Sequence, residues 1–199
     1  MAGVAGWPGW DGDGGRLDGV VDEQEFLNAT LPAMDLVYNV ARRAVPRRED
    51  AEDLVQETYL AAFRAWRDRR RPDRVEPWLA TICLNLARSG YRARARRPKE
   101  VPWEEPGQDE PVLDSAAVSG ADPEAQALAM CDRRMLHRAL WRLSEEQRLA
   151  VALVDLSGFT TTEAARILGV PKGTVLSRLH RGRRALAARL RDPAEEAGR

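Results

Sequence analysis

Lys172, Arg178, Arg181, Arg183, Arg184 and Arg189 all fall within VPKGTVLSRLHRGRRALAARL, residues 170–190, a segment with no acidic residue. Like charges at this density on one helix repel one another unless a polyanion lies nearby. The chemistry that these residue types favour is nucleic-acid binding. Arginine takes guanine O6 and N7 as a bidentate pair, serine or histidine makes single base contacts, and the remaining cations, here Arg183 and Arg189, meet phosphates. A second basic stretch, residues 64–98, carries eleven arginines against three acidic groups. Two basic surfaces in one chain point to a polyanion touched at two places.

The elements that must position the first segment are written around it. SEEQ at 144–147 fits a capping box, with Ser144 accepting from the backbone of Gln147 and Gln147 reaching back, and the helix it opens is expected to end near Gly158. TTTE at 160–163 offers a second box, Thr160 with Glu163, opening the short helix TEAARIL. Gly169 suits a left-handed closing residue and Pro171 the first turn of the next helix. Helix, glycine turn, helix is the arithmetic of a helix-turn-helix. In the second helix Val175, Leu179, Leu186 and Leu190 form the stripe expected to pack on the first. Lys172, Ser177, Arg178, His180, Arg181 and Arg184 are left facing outward, toward a DNA major groove.

The other basic stretch follows two amphipathic helices. AMDLVYNVARRA, residues 33–44, places Leu36, Val37, Val40 and Ala44 at helical spacing after Pro32. EDAEDLVQETYLAAFRAW, residues 49–66, puts Leu54, Val55, Thr58, Ala62, Phe63 and Trp66 on one broad face. Opposite them runs a ridge of Asp53, Gln56, Glu57, Leu60 and Arg64, suited either to solvent or to a docking partner. RDRRRPDRVE then forms a charged loop, and Pro77 opens a helix that buries Leu79, Ile82, Cys83 and Leu86 while presenting Arg88, Arg92 and Arg96. A further helix is expected over 124–142, with Leu128, Met135, Leu136 and Ala139 on one stripe.

Across the 199 residues 31 basic and 31 acidic side chains cancel, which hides how strongly charge is segregated. Residues 1–25 hold six acidic groups against Arg16 and read as a disordered acidic tail. Residues 99–125 hold eight against Lys99, with four prolines, and read as a flexible acidic linker. The fold class is therefore all-α: two small helical domains joined by the linker, the second containing the helix-turn-helix. The boundaries are a tail over 1–22, a domain over 23–98, a linker over 99–123, a domain over 124–191 and a tail over 192–199.

Several function classes are excluded at this point. The chain has no run of 18 apolar residues and no signal-peptide pattern, which predicts a cytoplasmic protein without membrane insertion. Cys83 and Cys131 lie far apart, so neither disulfide framework nor metal site is expected, and both read as core thiols rather than redox sensors. His137 and His180 are the two histidines, with no nucleophile–base pair, phosphate loop or cofactor motif, so no enzyme is expected.

EDAEDLVQETYLAAFRAW with PWLATICLNLARSGYRARARR, followed by LSEEQRLAVALVDLSGFTTTEAARILGVPKGTVLSRLHRGRRAL, resembles the bacterial RNA polymerase sigma factors of the extracytoplasmic-function type, in the sigma-70 family. The resemblance covers about residues 23–98 and 124–191. It implies two helical domains, regions 2 and 4. Region 2 would bind the clamp helices of the polymerase β′ subunit and melt the minus-10 element. Region 4 would read the minus-35 element and contact the β flap. The resemblance gives Asp53, Gln56 and Glu57 to core-polymerase docking, with Arg64 and Arg67 at the edge. It gives the loop from 67 to 75, with Arg67, Arg70, Arg71 and Arg74, to minus-10 capture, and Arg88, Arg92 and Arg96 to the adjacent backbone. Lys172, Thr174, Leu176, Ser177, Arg178, His180, Arg181 and Arg184 go to the minus-35 element, with Leu176 standing where the family commonly has a polar residue. An anti-sigma factor is an implied partner. The alternative weighed beside this reading is a helix-turn-helix regulator that does not bind core polymerase.

Overall fold

The computed structural model describes residues 23–68, 71–95 and 133–191, with the backbone alone for 91–95. The expected tails 1–22 and 192–199, the linker 99–123, Cys131, Leu128, Arg70 and Arg96 lie outside the described residues, as does the Arg92 side chain.

The first unit consists of four helices: α1 (Glu23–Thr30), α2 (Met34–Ala44), α3 (Arg48–Arg67) and α4 (Val75–Ala95). A 3-10 turn over Leu31–Ala33, with Pro32 inside it, separates α1 from α2. Pro46 ends α2, because a residue before proline is driven out of the helical region, and Val45 is extended at φ −123°, ψ 146°.

In α3 the buried residues Ala51, Leu54, Thr58, Ala62 and Trp66 recur every third or fourth position, one face of a helix laid against α2 and α4. Thr58 is tolerated there because its hydroxyl donates to Leu54 O at 2.7 Å. Phe26 of α1 closes this core edge-on to Phe63 and Trp66, with ring centroids 5.2 and 5.6 Å apart. Tyr59 ties α3 to the end of α1 by donating to Thr30 O at 2.9 Å.

Two sequence expectations for α4 need correction. The helix begins at Val75, not at Pro77. Proline is harmless in the first turn because those N–H groups have no intrahelical acceptor. Leu84 is as fully buried as Leu79 and Cys83, while Ile82 and Leu86 sit at the margin of the core.

The second unit starts with α5, described as helical over 133–141. It continues with α6 (Glu145–Val151), a π-helical turn over Ala152–Leu156, α7 (Thr161–Leu168) and α8 (Lys172–Arg191). The π turn is marked by Ser157 N donating to Ala152 O at 2.9 Å, five residues back. Gly158 then takes φ 72°, which ends the helix where the sequence suggested.

The apolar stripe of α8 does not lie wholly on α7. Val175 joins the main core with Ile167 and Leu168, but Leu179 and Leu186 pack in a second cluster with Leu140 of α5, Leu143 of the following turn and Val151 of α6. The main core itself runs without a break from Val37, Val40, Leu79 and Leu84 in the first unit to Leu149, Leu153 and Ile167 in the second. Among the described residues no helix is long and apolar enough to cross a membrane.

Candidate nucleic-acid interface

The α7–turn–α8 unit is fixed by local chemistry. Glu163 N donates to Thr160 Oγ1 at 3.2 Å and Thr160 N donates to Glu163 Oε2 at 2.8 Å, a complete capping box. These bonds hold the Glu163 carboxyl below its usual range, first through the Thr160 backbone N–H, then through its hydroxyl, with Arg74 adding to the effect. At Ser144 the cap is weaker: it accepts from Gln147 N at 3.4 Å, and the full reciprocal box is described at Thr160 instead.

Gly169, at φ 67°, adopts the left-handed conformation that a side chain would strain. That turn lets its N–H reach Arg166 O at 3.2 Å and the Val170 N–H reach Ala165 O at 3.0 Å. The chain then enters α8 with Pro171 as the cap, its carbonyl accepting from Thr174 N at 2.9 Å and Val175 N at 3.2 Å.

On α8 the structure divides the candidate minus-35 residues into two sets. Lys172, Leu176, Ser177, His180, Arg181 and Arg184 are exposed, Leu176 at 48%. Ser177 and Arg181 lie together, with Arg181 Nε donating to Ser177 O at 3.3 Å and the Ser177 hydroxyl donating to Thr174 O at 3.0 Å. Thr174 is half-buried. Arg178 is turned inward, its side chain 15% exposed and ion-paired with Glu146. Arg183 is not a free phosphate ligand either, because it makes a two-pronged pair with Asp155, Nε to Oδ2 at 3.0 Å. Arg189 donates to the carbonyls of Ala185 and Arg142.

Asp155 and Glu146 thus supply the acidic partners that the segment lacks internally, from 28 and 32 residues away. No local pattern marks that pairing. Gly182 was also missed. It is the third buried residue of α8 after Val175 and Leu179, at the crossing with α6. A glycine inside a helical pattern is itself a signal of close packing.

The first unit carries the second candidate surface. Asp53, Gln56, Glu57, Leu60 and Arg64 form an exposed row along α3, with Leu60 57% exposed. Arg67 is exposed at the end of α3. Arg71 stacks 4.9 Å over the Trp66 ring and pairs with Glu25. Trp78 lies partly buried with its ring 6.3 Å from Trp66, a packing position.

Arg74 pairs with Glu163 of α7, and Arg88, which the sequence placed outward, is half-buried and donates to Leu168 O at 3.2 Å. Cys83 is fully buried and its thiol is pushed up to about 12 by burial. His137 accepts from Trp141 Nε1 at 3.1 Å, and Trp141 in turn carries the buried Arg148 guanidinium at 3.8 Å.

Residues 33–97 match the model of Sigma-70 region 2, and residues 133–186 match that of Sigma-70, region 4. The extracytoplasmic-function (ECF) RNA polymerase sigma factor SigE of Mycolicibacterium smegmatis is 38% identical over 160 residues, 76% of this chain. The chain spans 56% of that relative's length. The ECF RNA polymerase sigma-E factor of Escherichia coli K12 is 30% identical over 172 residues, 83% of this chain and 86% of the relative.

Among solved structures, the sigma factor RpoE of Bartonella quintana, crystallised with the anti-sigma factor NepR, superposes with a TM-score of 0.63 at 28% identity. That match covers 86% of this chain and 98% of the other. CnrH, solved with the cytosolic domain of CnrY, gives a TM-score of 0.53 at 25% identity, covering 86% and 88%. With regions 2 and 4 matched in order along one all-helical chain, and with 86% of the Escherichia coli relative covered, the protein belongs to the extracytoplasmic-function sigma factors of the sigma-70 family.

Proposed function

We propose that the chain binds core RNA polymerase and directs it to promoters in the cytoplasm, reading a minus-35 element with α8 and a minus-10 element with the α3–α4 loop. The observation that carries this reading is the outward face of α8. Leu176, Ser177, His180, Arg181 and Arg184 stand exposed on a helix whose entry angle is fixed by the Thr160–Glu163 box and Gly169. Serine, histidine and arginine read base edges there, Leu176 suits a thymine methyl, and Lys172 and Arg184 meet phosphates. Arg178 supports the face through Glu146 rather than reading DNA.

In the first unit the exposed row Asp53, Gln56 and Glu57 docks on the polymerase, with Leu60 as its apolar anchor. Arg67, Arg71 and Arg74 serve the minus-10 strand, offsetting the few kcal/mol of base unstacking. The domain boundaries are proposed as 23–98 and 124–191. The complex of RpoE with the anti-sigma factor NepR supports an anti-sigma protein as a further partner.

Run-off transcription of fragmented bacterial DNA with core polymerase, with and without the protein, tests the reading. New transcript starts sharing two spaced upstream motifs are expected. No new starts, together with no binding to core, would leave a helix-turn-helix regulator in its place. Charge reversal of Asp53 and Glu57 together is expected to abolish core binding, and normal binding would remove the α3 row from the interface.

A further inference from the structure

Helix α5 carries a row of cations that lies outside both proposed DNA-reading surfaces. Residues 133–144 hold four arginines and no acidic residue. Arg134, Arg138 and Arg142 stand at i, i+4 and i+8, and all three are exposed. Arg142 N donates to Arg138 O at 3.2 Å, so the helical register carries through to the third member. Side chains at that spacing form one row along the helix, about 6 Å from each to the next. Arg189 of α8 donates to Arg142 O and brings a further cation to the end of the row. Like charges four residues apart destabilise a helix, so this row weakens α5 unless a polyanion lies along it.

The row faces away from the surface that reads DNA. Leu136 and Leu140 of α5 pack with Leu179 and Leu186 of α8. Arg138 lies two residues from each of Leu136 and Leu140, which puts it on the opposite side of α5, about 200° around the axis. On α8 the exposed Ser177, Arg181 and Arg184 are likewise turned from Leu179 and Leu186, by about 140° or more. A duplex seated on that face of α8 therefore leaves the α5 row untouched on the other side of the unit. The polyanion that fits α5 is a second strand.

The aromatic side chains beside the row favour a nucleic acid over an acidic peptide. Trp141 and His137 flank it, the Trp141 indole N–H donating to His137 Nε2 at 3.1 Å. The Arg148 guanidinium steadies the Trp141 ring from 3.8 Å. Cations next to fixed aromatic rings are the combination that single-stranded nucleic acid engages, through phosphates and bases together.

We propose that α5 is a surface for single-stranded RNA, with Arg134, Arg138 and Arg142 meeting its phosphates, and that the occupant is the transcript made from the promoter held by α8. Naming the transcript rests on the promoter-directing reading, whereas RNA binding by α5 does not. The second unit then holds two nucleic acids at once, duplex DNA on one side and RNA on the other.

The test uses the full chain, free in solution, with end-labelled oligouridylate as the RNA, its anisotropy read after a mixed-sequence DNA duplex has been added to saturation. RNA binding is expected to persist beside the duplex. Reversing the row, Arg134→Glu with Arg138→Glu and Arg142→Glu, is expected to lower RNA affinity on the order of tenfold and to flatten the log–log salt slope by about 2, three single-strand phosphate contacts at about 0.7 each. At physiological salt, where distant charges are screened, the duplex affinity of this variant should match the parent's, which shows that the second unit is folded. Lysine at the same three positions should keep RNA affinity, because phosphates are met by charge.

Displacement of the RNA by the duplex would overturn the proposal, since both would then share one surface. RNA affinity unchanged by the triple reversal would overturn it too, and would leave an acidic protein segment as the occupant of the row. Equal losses in the lysine variant would overturn the phosphate contacts. In run-off complexes, 4-thiouridine in the transcript is expected to crosslink to α5, and crosslinks confined to other elements would overturn the transcript as occupant. The anisotropy measurements need no polymerase, so their failure leaves transcription initiation untouched. Absence of new transcript starts would remove the transcript but leave RNA binding by α5 standing.

Discussion

Gly182→Ala has an effect whose sign depends on one neighbouring methyl group. The added Cβ would meet Val151 Cγ2 at 2.9 Å, with Gln147 O at 3.4 Å and Gln147 Cβ at 3.5 Å. Carbon pairs rest at about 3.5–4.0 Å, so α8 and α6 must move apart by about half an ångström or Val151 must turn. Val151 is buried and β-branched, which leaves it little rotamer freedom. Overpacking of this kind costs about 1–3 kcal/mol, against about 1 kcal/mol gained by replacing glycine inside a helix. The expected net effect is a loss of up to about 2 kcal/mol.

In a Val151→Ala background, itself destabilised by about 2 kcal/mol, the obstructing carbon is gone. There Gly182→Ala should stabilise by about 1 kcal/mol, so the cycle yields a coupling of about 1–3 kcal/mol. Urea unfolding of the four proteins followed by helical circular dichroism reads this directly. Equal stabilisation in both backgrounds would refute the argument, since it would mean that the two helices do not need glycine to approach.

Asp155→Asn should release Arg183 toward DNA, strengthening duplex binding at low salt and steepening the log–log salt slope by about 0.9, one phosphate contact, in a salt titration. Arg181→Ala should weaken minus-35 binding by about 1–3 kcal/mol without changing core binding, as read by a duplex affinity assay beside a core pull-down. Glu163 has its carboxyl held below the ordinary 4.5, so its contribution to stability is complete above that pH and is lost as pH falls through the depressed value. Urea midpoints across that acid range should therefore fall less for Glu163→Gln than for the parent. Cys83, with its thiol raised to about 12, should resist iodoacetamide at pH 8 in a Cys131→Ser chain until the protein is unfolded.

What the sequence made legible was local. The Thr160–Glu163 box, Gly169 and the spacing in α3 each express a rule acting within about four residues, and each is present in the structure. The α3 row and the exposed face of α8 follow from the same periodicity. The pairing of Arg178 and Arg183 does not, because Glu146 and Asp155 reach them only after α6 and α8 have packed. Arg88 misled for a related reason: its outward position on an isolated α4 becomes inward once α7 lies beside it. Charge patterning along a chain counts the cations but does not say which ones another helix has already engaged.

The π turn over Ala152–Leu156 bears on how this recognition unit could be altered by evolution or in the laboratory. A π turn is an α-helix that has accommodated one extra residue. Removing one residue within that turn would restore α winding while the flanking residues kept their places, whereas removing one from the α part of α6 would turn everything after it by about 100° around the axis. The turn absorbs a change in length that the rest of α6 would pass on to Asp155, whose pair with Arg183 ties it to a helix 28 residues downstream.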